Sequence, residues 1–273
     1  MQTLTSKPIT FYKKAVACAS HYGFVCPIEI IDQQEKLDSA AFAAANEEER
    51  EQLLVAKARS KVEKPLQSIL EQRHKKIDGI SREFEAALKH LGSKQLSPHT
   101  RPLLFYTSNI DPSALKDGAE LPKTVNFSLH AVGIRQSIAE ALILKTALTI
   151  LDDLGETSTY VQLNSLGDRD SSAKFVRDAT AHMRKHLNEL PPQAQQAFKE
   201  DVFLGYNYVC KKNIELPEEL PRPMEFLSSA SRKHFREVLE FLEAADIPYI
   251  FDDTLLGHRD CYTQTLFSIK GGE

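Results

Sequence analysis

The chain has few cysteines, no long apolar run and no excess of positive charge, and each absence excludes a class of protein. Its four cysteines form no C-x-x-C pair, so the sequence predicts free thiols in a reducing compartment rather than a zinc ribbon or a redox motif. No stretch is apolar enough to span a bilayer, and the N-terminus has no continuous apolar segment of the signal-peptide kind. The net charge of −4 argues against broad, non-specific binding of nucleic acid. We therefore expect a cytoplasmic protein.

The sequence does contain helix-like and strand-like segments in an ordinary globular composition. Residues 9–22 and 137–154 carry apolar side chains at helical spacing and end at Gly23 and Gly155. Further helices are predicted at residues 171–190, 193–203 and 231–245. Strands are predicted at residues 24–31, 103–106, 124–132, 160–164 and 247–251. This order predicts an α+β protein, with a mostly antiparallel sheet and helices on one face.

Two helical regions interrupt the predicted sheet. Residues 38–92 are rich in alanine and charge, and we expect helices broken at Pro65 and Gly79. Residues 168–245 are also helical and lie between two strands of one sheet, so we predict a small inserted module there. The predicted core therefore comprises residues 1–167, with the helical segment 38–92, and residues 246–273.

The segment Leu255–Ile269 concentrates polar side chains in a predicted strand–turn–strand unit. Its candidate ligand-binding residues are His258, Asp260, Tyr262 and Thr265, and it also contains Arg259. Polar groups of this density suggest the wall of a pocket, whereas periodicity alone favours a surface hairpin whose charges face water. Asp260 and Tyr262 are the best candidates for ligand contacts, with a turn aspartate and a half-buried tyrosine as the structural alternative.

Two other groups have the spacing of reactive sites. His182 and His186 lie four residues apart on a predicted helix, as metal-ligand pairs do. No glutamate follows the first histidine as in zinc proteases, and the region is charged, so we interpret the pair as part of a solvated helix face. Cys261 lies close to His258, but no third group that would orient a base is evident, and we interpret it as a packed thiol. The sequence predicts no metal site.

Two segments resemble, in the right order, the catalytic core of histidyl-tRNA synthetase, a class II aminoacyl-tRNA synthetase. The first is the helix ending at Gly155 followed by Val161–Gly167, whose Asn-Ser-Leu-Gly end precedes an inserted helical domain in that family. The second is Ser-Arg-Lys-His-Phe at 231–235, then Ile-Pro-Tyr, then a segment resembling the histidine-recognition signature Leu-Val-Arg-Gly-Leu-Asp-Tyr-Tyr-x-x-Thr-x-Phe. Residues 9–32 resemble motif 1 more loosely, which builds the dimer interface of class II enzymes. The resemblance covers residues 9–32 and 103–269.

The chain departs from the family where charge is needed. The arginine of the signature falls on Gly257, while the matching positions are Asp260, Tyr262, Thr265 and Phe267. Residues 107–125, which correspond to motif 2, contain no arginine, and the later Gln and Glu of that motif fall on Leu129 and Gly133. Adenylation needs fixed positive charge on the α-phosphate, so these changes imply a loss of activity. Arg259, two positions from the signature arginine, is the candidate substitute.

The resemblance implies two functions. The first is a catalytically degenerate pseudoenzyme that acts as a binding or regulatory subunit, like the regulatory subunit of ATP phosphoribosyltransferase. Such a protein would be a homodimer through the motif 1-like segment, with histidine as a ligand and another protein as partner. The alternative is part of a histidine–tRNA ligase lacking its C-terminal motif 3 and anticodon-binding domain, which would use ATP and magnesium. A structural or RNA-contacting module is a third hypothesis, and the low basic charge argues against tRNA as a partner.

Overall fold

The computed structural model describes residues 8–26, 43–44, 49–50, 102–110, 124–257 and 262–271. The helices are α1 (Pro8–His21), α2 (Ile138–Asp153), α3 (Arg169–Lys185), α4 (Pro192–Glu200), α5 (Val202–Lys211) and α6 (Ser229–Ala244). The strands are β1 (Leu103–Ser108), β2 (Phe127–Val132), β3 (Thr159–Gly167), β4 (Tyr249–Phe251) and β5 (Gln264–Gly271). This order confirms the predicted α+β class. Most of the predicted helical segment 38–92 lies outside the described residues.

The chain divides into two compact units. One comprises Met1–Arg135 and Thr149–Gly155, and the other Gln136–Leu148 and Glu156–Glu273. The boundaries of the predicted core and inserted module stay a prediction. Among the residues that the structure describes, no helix is both long enough and apolar enough to cross a membrane.

The first unit contains a two-stranded antiparallel sheet. Strands β1 and β2 pair from Leu103 opposite Val132 to Ser108 opposite Phe127. The strand predicted at 24–31 is represented by a single parallel bridge between Val25 and Phe105, and its residues from 27 onward lie outside the described residues. Helix α1 forms as predicted, since its buried residues recur at helical spacing: Tyr12, Ala15, Cys18 and Ala19.

The second unit contains a three-stranded sheet in the order β4-β3-β5. The central strand β3 pairs in parallel with β4, where Val161 faces Tyr249, and antiparallel with β5, where Leu163 faces Phe267. Its core combines residues of the sheet with residues of α2 and α6: Leu144, Val161, Leu163, Phe235, Val238, Leu242 and Ile247. Because β3 is paired on both edges, its C-terminal half is buried throughout and provides a rigid base for the loops around it.

Helices α3, α4 and α5 form a second core in this unit, around an aromatic cluster. The rings of Phe203 and Tyr206 lie 5.8 and 5.5 Å from the ring of Phe175. The predicted helix at 193–203 is two helices instead, because Asp201 is extended and its carboxylate accepts a hydrogen bond from Phe203 N at 2.8 Å, which starts α5. The two helices approach closely at Gly205, where an added Cβ would lie 2.7 Å from the Phe198 main chain.

Candidate ligand site at the end of the central strand

The C-terminal end of β3 holds the neighbouring loops through buried polar side chains. Asn164 is fully buried, and its Nδ2 donates to the carbonyl of Leu255 at 3.1 Å and towards that of Asp253 at 3.4 Å. Ser165 Oγ donates to the carbonyl of Gln264 at 3.1 Å. Both side chains are therefore occupied in fixing the segments on either side of the undescribed residues 258–261.

The residue after β3, Asp168, ties two helix N-termini to the strand. Its carboxylate accepts from Ser228 Oγ at 2.6 Å, from Ser171 N and Oγ at 2.8 Å each, and from Ser231 Oγ at 3.2 Å. The hydroxyl of Ser228, followed by the N–H and hydroxyl of Ser171, holds the pKa of Asp168 well below its ordinary value. This carboxylate is saturated by protein donors, so it is a structural group and not a ligand contact.

Gly257 occupies a position that admits no ordinary side chain. Its φ of +63° lies in the left-handed region that favours glycine. A Cβ added there would lie 2.6 and 2.9 Å from ring atoms of Tyr262 and 3.0 Å from a methyl group of Leu266. Tyr262 and Leu266 are thus packed against a bare Cα at the position that corresponds to the arginine of the histidine-recognition signature.

Two of the predicted ligand-binding residues are described by the structure. Tyr262 packs its ring against Gly257 and is 43% exposed. Thr265 is half-buried and lies beside Ser165 in the sheet. Thr265 Oγ1 and the neighbouring Gln264 Oε1 are buried, and neither has a hydrogen-bond partner within the described part of the chain. Buried polar atoms of this kind are available to a ligand. His258, Arg259 and Asp260 lie outside the described residues.

Asp253 is a polar residue of this region that the sequence did not single out. Its Oδ1 is buried without a partner among the described residues, and its Oδ2 lies 3.8 Å from Nε of Arg222. Burial is the main cause that raises the pKa of Asp253, and the Arg222 guanidinium acts in the opposite direction. The sequence signal that could have identified Asp253 is its position just after the predicted strand at 247–251. This strand is half of a parallel pair, and ligands bind at the carboxyl ends of parallel strands in many sheets.

His130 is the titratable residue of the strand that corresponds to motif 2. Its Nε2 lies 2.8 Å from Thr107 Oγ1, and its ring lies 4.8 Å from that of Phe105. Burial lowers the pKa of His130 to about 4, so the imidazole is neutral at pH 7. This strand therefore gains no positive charge from its histidine.

The interpretation of His182 and His186 as a solvated helix face was wrong. His186 is 4% exposed, and the Nε2 atoms of both residues are buried. The segment between α5 and α6 covers the pair, since Glu218 lies 3.7 Å from His186 Nε2. The charged residues around His182 and His186 in the sequence could not show that a distant segment buries them.

Comparison with known proteins relates the chain to one group of enzymes. No protein-family model matches it. It is 26% identical over 175 residues to the histidine–tRNA ligase of Oceanobacillus iheyensis, which covers 63% of this chain and 40% of that protein. It is 27% identical over 143 residues to that of Fervidobacterium nodosum, covering 52% and 34%. The structure of apo histidyl-tRNA synthetase from S. aureus overlaps 62% of this chain and 38% of its own, with a TM-score of 0.43 and 21% identity.

The chain is thus an α+β protein that is similar in sequence to histidine–tRNA ligases. The chain has a core similar to that of histidyl-tRNA synthetase, and the resemblance drawn from its motifs is confirmed. It spans about 40% of the length of the curated relatives that it matches.

Proposed function

We propose that this chain is a catalytically degenerate relative of the histidyl-tRNA synthetase core that acts as a binding or regulatory subunit. The observation that carries the proposal is the enclosure of Gly257. A missing arginine could be a single replacement in an otherwise intact site. Here, however, the ring of Tyr262 fills the space that the Cβ of any such residue would need, so this position suits only glycine.

The chemistry of adenylation supports the same conclusion. The reaction places developing negative charge on the α-phosphate, and a guanidinium held in position stabilises it by paired hydrogen bonds. Loss of one such group typically costs about two to three orders of magnitude in rate. Neither Gly257 nor the arginine-free segment 107–125 supplies a guanidinium, and neutral His130 does not replace it. Arg259 is the one nearby cation of the signature segment, and its role stays a prediction.

Binding of an amino acid does not require the groups that catalyse adenylation, and the residues present on β5 can bind one. Gln264 Oε1 is a hydrogen-bond acceptor for N–H groups, and Thr265 Oγ1 can donate or accept. A histidine ligand offers an ammonium group, a carboxylate and an imidazole. We propose that the chain retains a histidine site on β5, with Asp260 and Tyr262 as further contacts. Such a protein would act through another protein partner, as a homodimer formed by the motif 1-like segment.

Calorimetric titration with histidine, with and without Mg²⁺-ATP, tests the proposal. We expect histidine to bind and its affinity to be unaffected by ATP. Thr265→Val should weaken binding about tenfold, because it removes a hydroxyl without changing shape. Thr263→Val, at an exposed neighbouring position, is the matched control and should bind like the parent. Strong coupling between histidine and ATP, with formation of the adenylate in a pyrophosphate-exchange assay, would refute the degenerate function.

The alternative is that the chain is part of a histidine–tRNA ligase, which is what the relatives in sequence are named. Under this alternative, a longer reading frame would continue past residue 273 into an arginine-bearing motif 3. Charging of tRNA by that longer protein would establish the alternative. An inactive longer protein would dismiss it.

A further inference from the structure

Two histidines and a glutamate meet at the end of α3, within the second unit. His182 and His186 lie one helical turn apart, and Glu218 approaches them from the segment between α5 and α6. One ligand atom from each residue can be chosen so that all three lie within 4.8 Å of one another. We call these three residues the His182–His186–Glu218 cluster.

Each of the two histidines has one ring nitrogen that no group in the described part of the chain satisfies. Nε2 of His182 and Nε2 of His186 are both buried, and neither has a hydrogen-bond partner among the described residues. Glu218 Oε2 is 3.7 Å from Nε2 of His186, which is beyond hydrogen-bonding distance. Two such atoms side by side are unusual, because buried polar groups in proteins are nearly always paired. The two nitrogens are therefore open to a shared ligand.

We propose that the His182–His186–Glu218 cluster binds a zinc ion. Two imidazole nitrogens and one carboxylate oxygen form a three-residue donor set of the kind that zinc accepts, with water in the fourth position. Calcium and magnesium prefer sets made of oxygen alone, so the two histidines favour a transition metal. The proposal does not depend on the histidine site and concerns other residues of the unit.

The distances are close to those that zinc needs. Ligand atoms about 2.0 Å from a tetrahedral zinc are about 3.3 Å from one another. The 3.7 Å between His186 Nε2 and Glu218 Oε2 already approaches this value. The widest separation in the cluster, up to 4.8 Å, closes by small rotations of His182 and Glu218, which are more exposed than His186.

The surroundings also suit a ligand role. His186 Nδ1 lies 3.2 Å from Glu189 Oε2, so this carboxylate can hold the proton on Nδ1 and leave Nε2 free for the metal. Lys185 forms an ion pair with Glu218 Oε1, which leaves Oε2 directed to the histidines.

A zinc ion here would join two parts of the helical region. His182 lies in the last turn of α3, His186 is the C-cap residue of that helix, and the chain between α5 and α6 carries Glu218. That connecting chain has two short apolar anchors in the neighbouring core, Ile214 and Leu216, just before the glutamate. The metal would fix the remainder of the segment to the helix and so stabilise the region against unfolding.

The experiment is a zinc titration of the full chain without a histidine tag, after treatment with a chelator and against a competing chromophoric chelator. We expect one zinc per chain. His182→Gln and Glu218→Gln should each weaken binding by about a hundredfold, since loss of an outer-shell partner alone costs about 10- to 100-fold. Glu219→Gln, at an exposed neighbouring residue, is the matched control and should bind like the parent. Cobalt should give the visible absorption of a tetrahedral site, and this spectrum should be lost in the same two variants.

Each outcome decides the proposal. A raised melting temperature with zinc in the parent and in Glu219→Gln, but not in His182→Gln or Glu218→Gln, supports the site. Equal zinc affinity in all four proteins would overturn it, as would the absence of any binding or an octahedral cobalt spectrum. Glu218 is exposed, so its replacement leaves the buried packing intact, and a folding failure of the histidine variant would not mask the result.

Discussion

Replacement of Gly257 by alanine measures how tightly Tyr262 and Leu266 pack against this glycine. The new Cβ would face two penalties. A residue with a side chain costs about 1 kcal/mol or somewhat more at a φ of +63°. It would also lie 2.6 Å from the ring of Tyr262 and 3.0 Å from Leu266, and overpacking of this kind typically costs about 1–3 kcal/mol. We therefore expect Gly257→Ala to lower the free energy of unfolding by about 3 kcal/mol.

Gly155 supplies the matched control. Its φ of +91° is also in the left-handed region, but a Cβ there would meet nothing within 4 Å. Gly155→Ala should therefore cost only the conformational part, about 1 kcal/mol. The difference of about 2 kcal/mol between the two variants isolates the crowding around Gly257. In a Tyr262→Ala background this difference should shrink, because most of the obstructing atoms belong to that ring.

The assay is urea unfolding followed by circular dichroism at 222 nm, since the chain contains no tryptophan for fluorescence. The result that would refute the reasoning is an equal cost for Gly257→Ala and Gly155→Ala. In that case the ring of Tyr262 would move aside freely, and an arginine could replace Gly257 without a steric clash. The main support for a degenerate function would then be lost.

Three further predictions concern single residues. The pKa of Asp168 is depressed in the fold, so its stabilising effect is complete above about pH 4 and is lost as the pH falls further. Asp168→Asn should therefore lower the free energy of unfolding at pH 7 by about 2 kcal/mol. The variant should also lose less stability than the parent when unfolding is measured at decreasing pH. The pKa of His130 is also depressed, to about 4, so the protein should lose stability as the pH falls from about 6.5 to 4. The expected loss in the free energy of unfolding is about 2 kcal/mol after allowance for partial exposure. In chemical denaturation, His130→Asn should remove this dependence on pH. Gly205→Ala should cost about 2 kcal/mol in thermal unfolding, since its Cβ would meet the Phe198 main chain at 2.7 Å, whereas an equal melting temperature would show that α4 and α5 can separate.

Periodicity in the sequence was sufficient for most elements of the fold. Helix α1 and the helix from Ile138 were predicted within a residue or two, because their apolar side chains recur at 3.6-residue spacing and glycines follow them. The break at Asp201 was missed, because a capping aspartate inside an apolar pattern is decided by local hydrogen bonding. The periodicity of the sequence could not predict which strands pair or in which register, such as the parallel pairing of β3 with β4.

The sequence by itself also determined the resemblance to histidyl-tRNA synthetase and the absence of that family's arginines. Both depend only on the identity and order of the residues. The tertiary structure alone decided three features of the sites: the enclosure of Gly257, the saturation of Asp168 and the burial of His186. The last two arise from contacts between segments far apart in the chain, whereas Gly257 is enclosed by the nearby Tyr262 and Leu266. Glu218 covers histidines more than thirty residues before it, and Ser228 reaches Asp168 across 60 residues. Such contacts follow from packing, which no local pattern encodes.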